Sequence, residues 1–182
     1  MQKNKNIQTG LTYGVLIGLI YCVIAFARWS MATNLILFAV MAFLGYLVVL
    51  GLMFWEAYQR RKMQPDGLID LKNLFQTLFV SVLIFELLYG LYNFIHLKFI
   101  DPNIIEKMKE GMTVMMEKTG AQVSDEQREQ SLARFDDMKK AMEPLQVFKS
   151  YLINIAISGF FAFIISLIMR KKNPNSGMPQ SM

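Results

Sequence analysis

Four apolar runs, each long enough to cross a bilayer as a helix, constrain this chain more than any other feature. They cover residues 7–29, 35–55, 73–97 and 151–169. A spanning helix needs about 20 apolar residues, which rise about 1.5 Å each. Of the 182 residues, 54% are hydrophobic and 18% are charged. Because the apolar residues are concentrated in these runs, the sequence excludes an ordinary soluble domain and predicts an all-α integral membrane protein.

The predicted fold is a four-helix up-down bundle with an extracytoplasmic helical hairpin between the third and fourth spans. Its segments are a cytoplasmic N-terminus (1–6), three transmembrane helices (7–98) with a basic cytoplasmic linker near 56–72, the hairpin (101–146), the fourth transmembrane helix (149–170) and a disordered basic tail (171–182). Asp70 is a candidate N-cap for the third helix, because it directly precedes that helix's polar first turn.

The hairpin is predicted from helix signals in a stretch that is too polar to span. Asp101 and Pro102 suit a helix start, and Ser124 and Gln127 stand in capping-box register. Apolar residues recur at helical spacing in both halves: Ile104, Ile105, Met108, Met112, Met115 and Met116, then Leu132, Phe135, Met138 and Met142. These signals predict two amphipathic helices that lie outside the bilayer.

The basic residues suggest an orientation. Lys and Arg are nearly equal in number on the two sides of a four-span protein, but those on the side of the termini lie in short segments next to span ends, as at 60–62 and 170–172. The positive-inside rule acts mainly on such segments. We therefore predict a multi-pass protein of the inner (plasma) membrane with both termini in the cytoplasm.

The first run carries glycines every four residues, at Gly10, Gly14 and Gly18. This spacing lets a neighbouring helix approach the backbone closely, although glycine is also simply common in membrane helices. An alternative interpretation of the run is a secretory signal cleaved near residues 30–32. Its length favours a span.

Glu86 is the sharpest functional candidate, because it lies among apolar neighbours near the middle of the third run. Helical spacing puts Tyr89, Asn93 and His96 on or beside its face. An ionisable residue at that depth is costly and marks a functional site by default. The alternative is a protonated carboxyl that fixes helix packing. We expect no Lys or Arg within the spans to pair with it.

A second polar stripe on the fourth run contains Asn154 and Ser158, one turn apart, with Tyr151 before them. Such residues commonly form hydrogen bonds between membrane helices. If both stripes are real, Asn154 or Ser158 should contact the third helix. Tyr13 and Tyr21 of the first run are further candidate partners of Glu86.

Other chemistry finds little support. The hairpin methionines could bind Cu(I) through thioethers, but they fall at core spacing without accompanying His or Cys, so we expect no metal. His96 is alone near a span end, and Cys22 suits a small core residue. Phosphate loops, nucleophile elbows and paired catalytic carboxylates are lacking in the sequence. We expect no enzyme activity, no cofactor and no nucleic-acid partner.

The chain resembles a bacterial family of small four-helix membrane proteins known as domain of unknown function four-one-nine-nine. The resemblance covers almost the whole chain. It rests on the glycine-rich first span, the basic linker at 58–62, Asp101 with Pro102 after the third helix, and the helix start VSDEQ at 123–127. It implies an integral membrane protein of this layout and no particular activity.

Three functions follow as hypotheses. The first is a non-enzymatic membrane protein whose outer hairpin meets a protein partner or the envelope. The second is a small proton- or ion-coupled transporter that works through Glu86. The third is an oligomeric assembly factor that uses the face of Gly10, Gly14 and Gly18. The lipid bilayer is a partner in all three.

Overall fold

A computed structural model describes residues 2–64, 67–118, 130–131, 133, 135 and 143–171. All regular secondary structure in these residues is helical. The helices are α1 (Gln2–Trp29), α2 (Leu35–Lys62), α3 (Leu71–Ile95), α4 (Ile104–Lys118) and α5 (Pro144–Met169). A π-helical turn, His96–Ile100, continues α3, because the Asp101 N–H bonds to the carbonyl of His96 at 2.8 Å. The all-α class is confirmed.

Four of these helices are long and apolar enough to cross a membrane. The spans are Asn4–Trp29, Leu35–Lys62, Leu71–Ile100 and Leu145–Met169. Large apolar side chains cover their outer surface, and Val23 and Phe160 are 69% and 61% exposed. A water-soluble protein rarely exposes so continuous an apolar surface. The structure therefore contains four candidate spans, as many as the sequence predicts, and the chain has the build of a multi-pass membrane protein.

Local signals set where two of the helices begin. The carboxylate of Asp70 accepts a hydrogen bond from the backbone N–H of Asn73 at 3.0 Å, so it caps α3 as predicted. Asn34 caps α2 in the same way. The expected start of α4 at Asp101 and Pro102 was too early. Residues 101–103 form a turn, and α4 begins at Ile104.

Helices α1 and α3 pack closely through the predicted glycine face. Gly10 lies against Thr77, Gly14 against Ser81 and Gly18 against Phe85. The residue numbers of these contact pairs increase together along both helices, so α1 and α3 run parallel. A Cβ at Gly14 would lie 2.9 Å from the carbonyl oxygen of Ser81, closer than real Cβ contacts allow. Glycine is therefore required for this approach of the two backbones.

The other two spans contact α1, α3 and the α2–α3 connection. Residues near the end of α2 meet the start of α1, where the rings of Trp55 and Tyr13 lie 5.2 Å apart. Helix α5 returns along α3, and its end pairs with the α2–α3 connection through two backbone bonds of 3.1 Å between Ile69 and Lys171.

Two apolar cores hold the helices together. The core of the spans is Ile17, Val49, Met53, Ala57, Ile69, Leu74, Leu78, Val82, Phe85, Ala162 and Ile165. The second core lies at the end of the bundle away from the termini and is formed by Trp29, Ala32, Ile104, Ile105, Met108 and Phe135. Most of the predicted second hairpin helix, including Leu132, Met138 and Met142, lies outside the described residues, as does most of the predicted tail.

Candidate functional site

Glu86 lies inside the bundle and points away from the lipid-facing surface, with 4% of its area exposed. The hydroxyl of Ser158 on α5 donates a hydrogen bond of 2.6 Å to Oε1 of Glu86. Two turns earlier on the stripe, the Tyr151 hydroxyl donates to the carbonyl of Leu83 at 3.2 Å. The polar stripe of α5 therefore faces the polar stripe of α3.

Glu86 forms part of the wall between two cavities. The larger measures about 190 Å³ and the smaller about 140 Å³. Glu86, Tyr89 and Asn154 line both of them. A buried water needs only about 10–15 Å³ of cavity, so each cavity can hold several. The carboxyl can thus be approached from two sides, although it is almost fully buried.

The larger cavity leads from Glu86 toward the end of the bundle at which α4 lies. Its lining continues past Asn93 to Leu97 of the π-helical turn and to Ile105 of α4. In the opposite direction, Phe85 and Val82 are completely buried in the core of the spans. The lining of the cavity thus extends from Glu86 toward α4 and does not reach the end that carries the termini.

Tyrosines form the wall of the smaller cavity. Tyr21 of α1 stacks on Tyr89 with 3.9 Å between ring centroids, and both line this cavity together with Tyr46 of α2. Three helices thus bring phenol groups to the neighbourhood of Glu86. Tyr13 does not join them, because it packs on Trp55 nearer the other end of the bundle.

The predicted polar stripe of α3 lines the cavities from Glu86 as far as Asn93, but not at His96. The amide oxygen of Asn93 accepts a hydrogen bond of 2.8 Å from the indole of Trp29, and its amide nitrogen donates to the carbonyl of Tyr89 at 2.9 Å. His96 lines neither cavity. It is 4% exposed, stacks on Trp29 with 5.9 Å between centroids, and its Nδ1 lies 3.1 Å from the Tyr92 hydroxyl.

A second buried polar cluster lies near the end of the bundle that carries the termini. It contains Glu56 and Arg60 of α2 and Asn6 of α1, which are at most 1% exposed. An Arg60 guanidinium nitrogen donates to the Asn6 amide oxygen. The Asn6 amide nitrogen donates in turn to Asn73 at 2.7 Å and to Gln76 at 3.1 Å.

The sequence pattern did not predict this cluster, because it placed Arg60 in a basic cluster at the membrane boundary. Arg60 is one of three consecutive basic residues at a span end. Such a cluster predicts contact with lipid headgroups and water, so the burial of Arg60 was not expected. Two spacings in the sequence could have indicated it. Glu56 and Arg60 are one helical turn apart, and Asn73 and Gln76 place two amides on one face of α3.

The remaining predicted features have simpler surroundings. The glycine face of α1 is covered by α3. The Cys22 thiol contacts the carbonyl of Leu88 at 3.7 Å. No group of three or more His, Cys, Asp or Glu side chains that could hold a metal ion occurs among the described residues.

Comparison with known proteins identifies the family. No curated protein and no solved structure matches the chain. A family model does match, and it covers residues 10–171, from the first glycine of α1 to the pairing after α5. The matched region therefore includes most of the first span, the other three spans, both buried carboxyl groups and α4. The chain belongs to the family described as protein of unknown function (DUF4199).

Proposed function

We propose that this protein is a non-enzymatic, proton-coupled carrier of a small solute in the inner (plasma) membrane, with Glu86 as its proton-binding group. The four spans form an up-down bundle, both termini lie in the cytoplasm and α4 lies outside. The observation that carries the proposal is the position of Glu86 in the wall shared by two cavities.

A carboxyl that served packing alone would be enclosed by well-packed partners. Glu86 instead has one strong partner, the Ser158 hydroxyl, and empty space on two sides. Burial in a low-dielectric interior carries a large free-energy penalty for a carboxylate and a much smaller one for the neutral acid. Entry of a solute or of water into either cavity changes that balance, so occupancy and protonation of Glu86 are coupled.

The shape of the larger cavity also favours a carrier. Transporters bind substrate and coupling ion near the middle of the bilayer and open to one side at a time. Here the cavity extends from Glu86 toward α4, and the buried side chains of Val82 and Phe85 close the opposite direction. With α4 outside, this arrangement is accessible from the extracytoplasmic side.

The other two hypotheses receive less support. The first turns of α4 bury Ile104, Ile105 and Met108 against the chain itself, so these residues are not offered to a partner. The glycine face of α1 is occupied by α3, so an assembly factor would need another contact surface.

The test uses protons themselves as the probe. The purified full chain is reconstituted in phosphatidylethanolamine and phosphatidylglycerol vesicles that contain a pH-sensitive dye, and a potassium diffusion potential drives proton entry. We expect wild-type vesicles to acidify faster than protein-free vesicles and Glu86→Gln vesicles to match the protein-free rate. Glutamine keeps an acceptor for Ser158, so the packing is preserved.

The matched variant Glu86→Leu separates transport from packing. If Glu86→Gln retains the wild-type proton flux while Glu86→Leu lowers thermal stability, the carboxyl is structural and the proposal is wrong. Equal expression and equal incorporation of all variants into vesicles are the controls.

A further inference from the structure

Glu56 is a second carboxyl in the bundle core that has no partner. It is 0% exposed, and neither of its carboxylate oxygens has a hydrogen-bond partner in the described part of the chain. The hydroxyl of Ser81 on α3 lies beside it, although the two groups do not form a hydrogen bond of regular geometry. Buried polar groups are almost always hydrogen-bonded, so three such oxygens together need an explanation.

A single proton on Glu56 accounts for two of these three oxygens. The neutral acid can donate its O–H to the Ser81 oxygen, and the low-dielectric surroundings favour that neutral form. Arg60 lies one turn further along α2, but in this structure its guanidinium donates to Asn6 and forms no bond with Glu56. Charging of Glu56 therefore requires the Arg60 side chain to turn from Asn6 toward the carboxylate.

Other charges around Glu56 are few. Helix α1 contributes Tyr13, which lies within electrostatic range of the carboxyl. Helix α3 contributes the uncharged Ser81. The charged residue within α5 is Lys149, which is exposed near the far end of that helix. Arg60 is thus the buried cation nearest to Glu56 along α2, and in this structure it bonds to Asn6 instead.

The position of Glu56 complements that of Glu86. Ser81 precedes Glu86 by five residues on α3, a separation of about 7–8 Å along the helix axis. The completely buried Val82 and Phe85 occupy the interval. One carboxyl therefore lies at the cavity on the α4 side of an apolar layer, and the other lies beyond that layer, nearer the chain termini.

We propose that Glu56 is a second proton-binding site of the same path, with Ser81 as its hydrogen-bond acceptor when neutral and Arg60 as its counter-ion when charged. On release, the Glu56 O–H bond breaks, the proton passes to water at the end of the bundle with the termini, and the electron pair stays on the carboxylate. This inference rests on the proposed function, since it assigns Glu56 to the path that includes Glu86.

Infrared difference spectroscopy of the full chain in lipid nanodiscs tests both carboxyls separately. A protonated carboxyl has a C=O stretching band that its carboxylate lacks. We expect the wild-type protein to lose two such bands as the pH is raised. Glu56→Gln should remove one band and Glu86→Gln the other. Ser81→Ala should shift the frequency of the Glu56 band alone, and Arg60→Gln should suppress the carboxylate form of Glu56.

The outcomes distinguish the two proposals. If the Glu86 band titrates while Glu56 stays charged or stays neutral at every pH, the second site is refuted and the proposed function stands. If the Glu56 band titrates and the Glu86 band does not, the proposed function fails while Glu56 remains a proton site. Should Glu56→Gln not fold, Glu56→Asp supplies the same assignment through a displaced band.

Proton uptake into dye-loaded vesicles gives a second readout. We expect Glu56→Gln to lower the rate to that of protein-free vesicles although Glu86 is intact. A wild-type rate in this variant would overturn the inference, because a proton path through Glu56 would then be unnecessary.

Discussion

Ser158 donates a hydrogen bond of 2.6 Å to Glu86, and the two side chains are 5% and 4% exposed. The bond joins α5 to α3 across 72 residues of sequence. Hydrogen bonds to a charged acceptor are stronger than those to a neutral one. The packing of α5 on α3 therefore depends on whether Glu86 carries a proton, which is the coupling a carrier requires.

Removal of the Ser158 hydroxyl should destabilise the fold. We expect Ser158→Ala to lower the free energy of unfolding in mixed micelles by about 1 kcal/mol, because membrane hydrogen bonds between helices are of that order. Ser166→Ala is the matched control, since the Ser166 hydroxyl is also buried but bonds to Ala162 in its own helix. Equal losses in the two variants would contradict an interhelical role for Ser158.

The close approach of α1 and α3 should not tolerate a methyl group. A Cβ at Gly14 would lie 2.8 Å from the Cβ of Ile84 and 2.9 Å from the Ser81 carbonyl oxygen. We expect Gly14→Ala to cost roughly 1–3 kcal/mol, as overpacking does. Gly51→Ala should be neutral or mildly stabilising, because no atom lies within 4 Å of its added Cβ. Thermal unfolding in detergent compares them, and a stable Gly14→Ala protein would contradict this packing.

The amide of Asn6 should be required to keep Arg60 buried. Asn6→Ala removes an acceptor of the Arg60 guanidinium and a donor to Asn73. A buried group left unsatisfied costs roughly 1–3 kcal/mol, so we expect a loss of that size in the free energy of unfolding. The exposed Gln8, on the same helix, is the control, and Gln8→Ala should change little. Similar free energies of unfolding for both variants would contradict this role of Asn6, because the Arg60 guanidinium would then bond to water in its place.

The proposed orientation can be measured in intact cells. In a Cys22→Ala background, single cysteines replace the exposed residues Lys62 at the end of α2 and Glu110 on α4. We expect a membrane-impermeant maleimide to label the Glu110→Cys protein and to leave the Lys62→Cys protein unlabelled until the cells are lysed. The reverse pattern would place the termini outside, and labelling of both before lysis would signal a leaky membrane.

Much of the fold could be predicted from the sequence because the features involved are local. Hydropathy over about 20 residues decides whether a segment prefers hydrocarbon, so the four spans could be read directly. Capping by Asp70 depends on neighbouring residues, and it was predicted for the same reason. The burial of Glu86 follows from the cost of a charge facing lipid, whichever helix covers it.

The tertiary structure alone decided which side chains meet. Tyr46 lines the smaller cavity at Glu86 because α2 packs there, whereas Tyr13 lies nearer the end of the bundle with the termini and packs on Trp55. Glu56 and Arg60 are completely or almost completely buried because their face of α2 turns inward, although a basic cluster at a span end indicates contact with lipid headgroups and water. Such outcomes depend on helix rotation and register, which are set by the packing of all the helices together and by no single segment.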